Sequence, residues 1–377
     1  MDISRGVLIV GAGISGLTLA IALRLQGIAA DVAEIKADVS EQLGVGLSLQ
    51  GNALAAFGKI GLSQAMLRVA VPGRYLNMRK PDGTLLAHHA IKPMGGAGYP
   101  STAGISRSGL HQILISRAVE LGAHLYMGVT LDHYTDQADR ITVTLSNGAV
   151  KDYDLVVGAD GIYSQVRGKI FPEIKPRRLG QLTWRVEVPR CLGTFTSELH
   201  FGGEFGVVGI CPITEDRSYL YLIEAKTDDI RLAESELPRL MREKLASYTS
   251  SVVQDALSHL DACSVITVRP LETVLVPDRW YRGRVIIIGD AAHSGPPVLA
   301  QGAAMGVEDA VVLAESLAQT SSVNDAFEAF MARRWSRASM VVNNSVQLCE
   351  WEVRHEATPQ QVGQLMHESQ EILSQPF

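Results

Sequence analysis

Cysteine is scarce and scattered in this sequence: Cys191, Cys211, Cys263 and Cys349 are its only four, and no two form a Cys-x-x-Cys pair. This excludes the short spacings of a zinc site and supplies no disulfide framework, so no metal is expected and the thiols are read as reduced, in a cytoplasmic protein. Long hydrophobic runs are lacking too. The most apolar stretch, 7–30, is interrupted by glycines, Thr18, Arg24 and Gln26, which excludes a secretion signal or a membrane span and leaves a strand followed by a helix. Nor is there a surplus of positive charge. The 34 lysines and arginines against 40 aspartates and glutamates leave a net charge of −6, with no electrostatic pull toward nucleic acid or an anionic membrane. Internal repeats and low-complexity tracts are absent. What remains, 377 residues at 46% hydrophobic and 20% charged, is a globular chain longer than one ordinary domain, expected as a monomer or homodimer with small-molecule partners.

The run Val7-Leu8-Ile9-Val10 has the pattern of a strand buried on both faces, and Gly11 ends it. Leu17, Ala20, Ile21 and Leu25 recur at helical spacing, Gly27 marks a helix end, and Asp31 to Glu34 reads as the next strand. Between strand and helix stands Gly11-x-Gly13-x-x-Gly16. In such a βαβ unit the first glycine permits a tight turn, the second lets backbone approach a pyrophosphate, and the third lets helix and strand pack closely. The pattern alone is weak, because 35 glycines in 377 residues give roughly 0.3 chance matches. Its context is what specifies it: a strand before, a helix after, and Glu34 18 residues beyond Gly16 to accept ribose hydroxyls. At this point NAD and FAD fit equally.

Two further apolar runs, Leu155-Val156-Val157 and Val285-Ile286-Ile287-Ile288, each lead into a glycine and an aspartate, where a parallel sheet lines its ligand crevice. Leu182 to Val188, Gly206 to Ile210 and Ser218 to Ile223 read instead as antiparallel strands, and from Glu308 onward the pattern is helical. The runs continue as Asp154-Leu-Val-Val-Gly158-Ala-Asp160-Gly161, with Ser164 and Arg167, and as Gly289-Asp290-Ala-Ala-His293-x-x-Pro296-Pro297-x-x-x-Gln301-Gly302, with Glu308-Asp309-Ala310. Together with the glycine motif, Leu43-Gly44-x-Gly46 followed by Asn52, and Ser106-Arg107-x-x-Leu110, these segments resemble the single-component flavoprotein aromatic hydroxylases, typified by para-hydroxybenzoate and salicylate hydroxylases. The resemblance covers about residues 5–320.

The resemblance implies an α/β fold: a three-layer FAD-binding domain of Rossmann type from 1–75, 100–177 and 270–320, an inserted antiparallel-sheet substrate lobe from 76–99 and 178–269, and a helical tail over 321–377. That tail leaves no room for the thioredoxin-like domain of larger relatives. FAD is the implied cofactor and NADH or NADPH the implied co-substrate. Gly11, Gly13, Ser15, Gly16, Glu34, Lys36, Gly46 and Leu131 are then cofactor-binding positions. Arg107 serves the ribityl or pyrophosphate region, Asp160 and Gly161 serve both FAD and the pyridine nucleotide, and Gly289 and Asp290 serve the ribityl chain. Gly302 and Ala303 open a helix toward the pyrimidine oxygens of the flavin. The implied reaction is hydroxylation of a small aromatic or heteroaromatic substrate by O2 through a flavin C4a-hydroperoxide. Other reactions of the fold, an oxidase or an epoxidase, and a non-catalytic FAD-binding redox protein are the alternatives. A flavin halogenase would carry W-x-W, but the tryptophans stand at 184, 280, 335 and 351; a Baeyer–Villiger enzyme would carry a second complete glycine motif, and none is found.

Catalytic roles attach to three residues. Pro297 is placed by the family against the flavin edge where oxygen reacts. Ser48 stands where relatives acting on pyridine rings have a histidine base, and as a serine it would orient the substrate or relay a proton. Tyr221 shares one strand face with Tyr219, as a core aromatic or as part of the pocket wall. Arg185 could hold a substrate carboxylate bidentately, but it reads rather as a structural arginine of the family and is not taken as a site residue. His293 reads as a packing residue, and His88, His89 and His200 as surface or loop histidines. The sequence departs from the family at Ala300, where glycine is commoner and only a slightly tighter turn is expected, and at Lys36, where arginine is frequent.

Overall fold

The structure, a computed structural model, describes residues 3–38, 45–190, 196–225, 232–354 and 356–377. Leu43, Gly44 and Cys191 lie outside the described residues. The first sheet has six strands in the order Tyr281–Arg282, Val285–Ile287, Leu155–Gly158, Val7–Val10, Ala30–Glu34 and His124–Met127. All neighbours run parallel except the outer Tyr281–Arg282 pair. Val7, Leu155 and Val285 and their strands are fully buried, which is why they read as unbroken apolar runs rather than alternating ones. The register sets Val10 beside Gly158 and Gly158 beside Ile287. Three segments far apart in the chain therefore end side by side at Gly11, Asp160 and Asp290, on the carboxyl edge where open α/β sheets bind ligands.

A second sheet has seven strands in the order Thr267–Thr273, Arg177–Pro189, Arg217–Ala225, Gly206–Pro212, Ser197–Gly203, Tyr75–Arg79 and Leu85–Ala90. Alternation splits its residues between two faces. One face buries Trp184, Val186, Val208, Ile210, Leu220 and Leu222 against two helices, Leu237–Leu245 and Ser251–Ser258. The opposite face carries Arg185, Tyr219, Tyr221, Gly209 and Cys211, since the register pairs Arg185 with Tyr221, Tyr221 with Gly209 and Tyr219 with Cys211. His200 corrects the expectation of a surface or loop residue: it lies fully buried in the strand Ser197–Gly203, with Nε2 3.0 Å from the Ser250 hydroxyl. Burial lowers its pKa. His88 and His89 are exposed, on the edge strand.

A three-stranded sheet, Gly46–Gln50, Thr102–Ser106 and Val71–Gly73, joins the two large sheets. Glycine is required where they touch. A Cβ on Gly104 would overlap the Pro212 carbonyl, and one on Gly46 would lie 2.6 Å from Ile213 Cγ2. The chain continues through helices Gly302–Gln319, Val323–Arg354 and Pro359–Leu373, the last begun by a capping box between Thr358 and Gln361. Among the described residues no helix is long and apolar enough to cross a membrane.

Candidate active site

The glycine loop comes first. Gly11 has φ 107°, a conformation that a side chain strongly disfavours, and Gly16 packs so closely on Gly11 that a Cβ would overlap its carbonyl. Gly13 differs. It is the N-cap of the helix Ile14–Leu25 with no side-chain cap, and a Cβ there would meet nothing within 4 Å. First-turn N–H groups thus open onto free space, the arrangement that accepts a phosphate. Glu34 closes the loop from beneath, its two carboxylate oxygens accepting hydrogen bonds from the backbone N–H groups of Ala12 at 2.8 Å and Lys36 at 3.0 Å. Each oxygen keeps a lone pair for a ribose hydroxyl. Ser15 places its hydroxyl between Gly289 and Gly306, neither of which has room for a Cβ beside it. His111, on the helix Arg107–Glu120, donates from Nε2 to the Ala12 carbonyl at 2.7 Å and so ties that helix to the loop. The sequence reading missed His111, although it lies one helical turn beyond Arg107.

Leu131 is 1% exposed in the apolar core, so a contact with the cofactor at this position falls to its backbone and to the adjoining Thr130, which is partly open. Asp160 also acts first within the protein. It accepts hydrogen bonds from the Ser164 hydroxyl at 2.5 Å and from the N–H groups of Gln165 and Val166, holding the start of the helix Gln165–Ile170. Burial raises its pKa against those hydrogen bonds. Gly161 follows with φ 77°. Arg167, buried, donates to the carbonyls of Ala291 at 2.9 Å and Ile162 at 2.6 Å, stitching the second signature to the third.

Asp290, at the carboxyl edge of the six-stranded sheet, and Arg107 are both exposed, and Arg107 lies within electrostatic reach of Asp290 and of Arg185 and Tyr219 on the seven-stranded sheet; the space they share is called the cleft below. Burial raises the pKa of Asp290, with His293 and Arg107 opposing it. A Cβ on Gly302 would lie 4.0 Å from Asp290 Oδ1, so the uncapped N-terminus of the helix Gly302–Gln319 sits at the same spot. Gly302 is exposed there and Ala303 partly so. Pro297, exposed, begins the short 3-10 turn that leads into this helix. Across the cleft stand Arg185 and Tyr219. The pKa of Arg107 is lowered by burial and then by Arg185, while Asp290 and Tyr219 pull it back up. Burial raises the phenols of Tyr219 and Tyr221, and it also raises the Cys211 thiol, so all three stay protonated. Ser48 approaches to 3.5 Å from Cys211 Sγ. Neither Arg107 nor Arg185 makes an ion pair among the described residues.

A buried polar network supports this surface. Asp309 accepts hydrogen bonds from Gly289 N at 2.9 Å, His293 Nε2 at 2.5 Å and Arg334 Nε at 2.7 Å. Glu308 accepts from Arg334 at 2.6 Å, from Arg337 at 2.8 and 3.0 Å, and from Asn52 at 2.8 Å; Asn52 also reaches Gln301, the residue before Gly302. His293 stacks on Trp280 with centroids 4.7 Å apart and is buried, in keeping with a packing role. Ala300 corrects the expectation of a slight effect. At φ 52° and ψ 35° it is the only described non-glycine residue in the left-handed region. Ala300→Gly is therefore expected to stabilise the protein by about 1 kcal/mol, read as a higher unfolding midpoint in urea; an unchanged or lower midpoint would contradict the left-handed turn.

Residues 5–345 match the family model described as an FAD binding domain. The chain is 33% identical over 317 residues to 2-heptyl-3-hydroxy-4(1H)-quinolone synthase of Pseudomonas aeruginosa, covering 82% of this chain and 79% of that protein. It is 31% identical over 357 residues to aurachin C monooxygenase/isomerase of Stigmatella aurantiaca, covering 92% and 90%. The crystal structure of Klebsiella pneumoniae HpxO with FAD and uric acid superposes with a TM-score of 0.86 at 23% identity, covering 100% of this chain and 98% of that one, and shares its fold.

Proposed function

Because the chain belongs to the FAD binding domain family of flavoprotein monooxygenases, we propose that it hydroxylates a small heteroaromatic substrate that bears an acidic ring oxygen, using NADH or NADPH and O2. The family supplies the monooxygenase class and the FAD; substrate and reductant are our reading. The observation that carries it is the pair of arginines, Arg107 and Arg185, without ion-pair partners among the described residues, where Asp290, the Gly302 helix and Tyr219 converge. Two like charges at one cleft are stabilised by an anion between or beside them. The quinolone and urate named for the relatives above are flat, oxygenated heterocycles, consistent with this choice.

FAD, when bound, supplies the electron transfer and oxygen activation. The chain's own residues hold and shield it. Gly13 and the first turn of its helix take the pyrophosphate, with Arg107 and His111 alongside, and Glu34 takes the adenosine ribose, with Lys36 at its edge. Asp290 takes the ribityl hydroxyls, the N–H groups of Gly302 and Ala303 face the flavin pyrimidine oxygens, and Pro297 walls the reacting edge against water. Arg185 pairs with the ionised ring oxygen of the substrate, which lowers the pKa of that oxygen. The carboxylate at this cleft, Asp290, is given to the ribityl hydroxyls, so the positive field stands in for a base, while Ser48 and Tyr221 orient the ring. The test is a screen of hydroxylated pyridines, quinolines and benzoates for acceleration of NAD(P)H oxidation, followed by turnover under 18O2. One labelled oxygen in the product is expected. Label arriving from water, or no acceleration by any ring compound, would overturn the reading.

A further inference from the structure

We propose that Gly209 is a specificity-determining position: by leaving room for the Tyr221 ring to lean across the neighbouring strand, it sets the depth of the cleft and admits fused two-ring substrates. The inference rests on the reading of this cleft as the ring site. Gly209 and Tyr221 are direct partners in the antiparallel register, and on the other side of Tyr221 the partner is Arg185. A Cβ on Gly209 would overlap Cε1, Cζ and Oη of Tyr221, so the outer half of the phenol occupies the space that any other residue would fill. The ring therefore leans toward Gly209, which keeps the phenol from standing up into the cleft. Tyr219 holds the lean from one side, stacked on Tyr221 with centroids 5.2 Å apart and planes 24° apart. Cross-strand glycine and aromatic partners suit each other in this way in antiparallel sheets generally. Here the pairing lies on the cleft face, where its consequence is the space left above.

Adding a methyl group at Gly209 must move the ring, either upward into the cleft or back onto Arg185, and both moves remove substrate volume. The test uses the FAD-loaded protein and two probes, 4-hydroxyquinoline and 4-hydroxypyridine, titrated while the absorption spectrum of the bound flavin is followed. Gly209→Ala is expected to weaken the two-ring probe about tenfold relative to the one-ring probe, with FAD content unchanged. The double variant Gly209→Ala/Tyr221→Leu is expected to restore the ratio, because the overlapping ring is gone. Tyr221→Leu alone, which asks for no new space, is expected to admit the three-ring probe acridone, and it serves if Gly209→Ala loses its cofactor. An unchanged probe ratio in Gly209→Ala, or an acridone affinity no better in Tyr221→Leu than in the parent, overturns the proposal while leaving the ring site in place. Failure of the parent protein to bind either probe overturns the ring-site reading, and the proposal with it.

Discussion

Arg334→Met is expected to cost about 3–5 kcal/mol of stability, because it removes one member of a fully buried charge network and leaves the others in place. Arg334 is 0% exposed and bridges Glu308 and Asp309, which are likewise fully buried. Methionine keeps much of the volume but no charge, so Asp309 would retain only Gly289 N–H and His293 as donors, and Glu308 would keep Arg337 and Asn52. Burial alone would push the pKa of Asp309 up, yet His293, Arg334 and the hydrogen bonds hold it at about 2. A carboxylate so depressed contributes stability that is complete above its unfolded pKa of about 3.9 and is lost as pH falls toward 2. In Arg334→Met the depression shrinks, and the acid-unfolding midpoint should move to higher pH. The cofactor should loosen as well, since Asp309 holds Gly289 and Glu308 holds Asn52 and, through it, Gln301. Urea unfolding followed at pH 7 and pH 4 would measure both effects. A thermal midpoint within about 2 °C of the parent would show that the network contributes little.

Asp290→Ala is expected to weaken FAD binding about tenfold or more, with much less effect on the fold of the apoprotein. The carboxylate faces the cleft, and no hydrogen bond from it to the protein is seen among the described residues. Its hydrogen-bonding capacity is thus open to the ribityl hydroxyls proposed above. Hydrogen bonds from ribityl hydroxyls to a charged acceptor contribute about 1.5–3 kcal/mol, which sets the factor. Removing Asp290 also leaves Arg107 without its nearest opposing charge, beside Arg185. Titration of apoprotein with FAD, read by quenching of flavin fluorescence, gives the affinity, and the urea midpoint of the apoprotein gives the fold. Equal FAD affinity would move the ribityl site away from this strand end. A large fall in apoprotein stability would instead mark Asp290 as structural.

The sheet that carries the cofactor was legible because burial on both faces forces continuous apolar runs, and Val7–Val10, Leu155–Gly158 and Val285–Ile287 have them. Their joint return to one edge follows from the glycine after each and the aspartate after the latter two. The lobe was legible only in part. Its strands alternate and are legible, but helices Leu237–Leu245 and Ser251–Ser258 are not, although Leu237, Met241 and Leu245 recur every four residues. Short amphipathic helices without strong caps give a weak local signal. Arg334, Arg337 and His111 were missed for a different reason: their partners lie far off in sequence, and nothing adjacent to an arginine shows which carboxylate it will meet. At Leu131 the motif position fixes a place in the chain and not the direction of its side chain, which is turned into the core. Ala300 was noticed, but its cost depends on a φ angle that no local pattern displayed.

In chain order the strand Val7–Val10 and its glycine loop stand far ahead of Arg337. Arg337 nevertheless clasps Glu308 in the cofactor-side helix while donating to the carbonyls of Ile372 and Leu373. The helix Pro359–Leu373 is thus tied through Arg337 to the same carboxylate that steadies Asn52, which makes it part of the cofactor-side fold rather than an appendage.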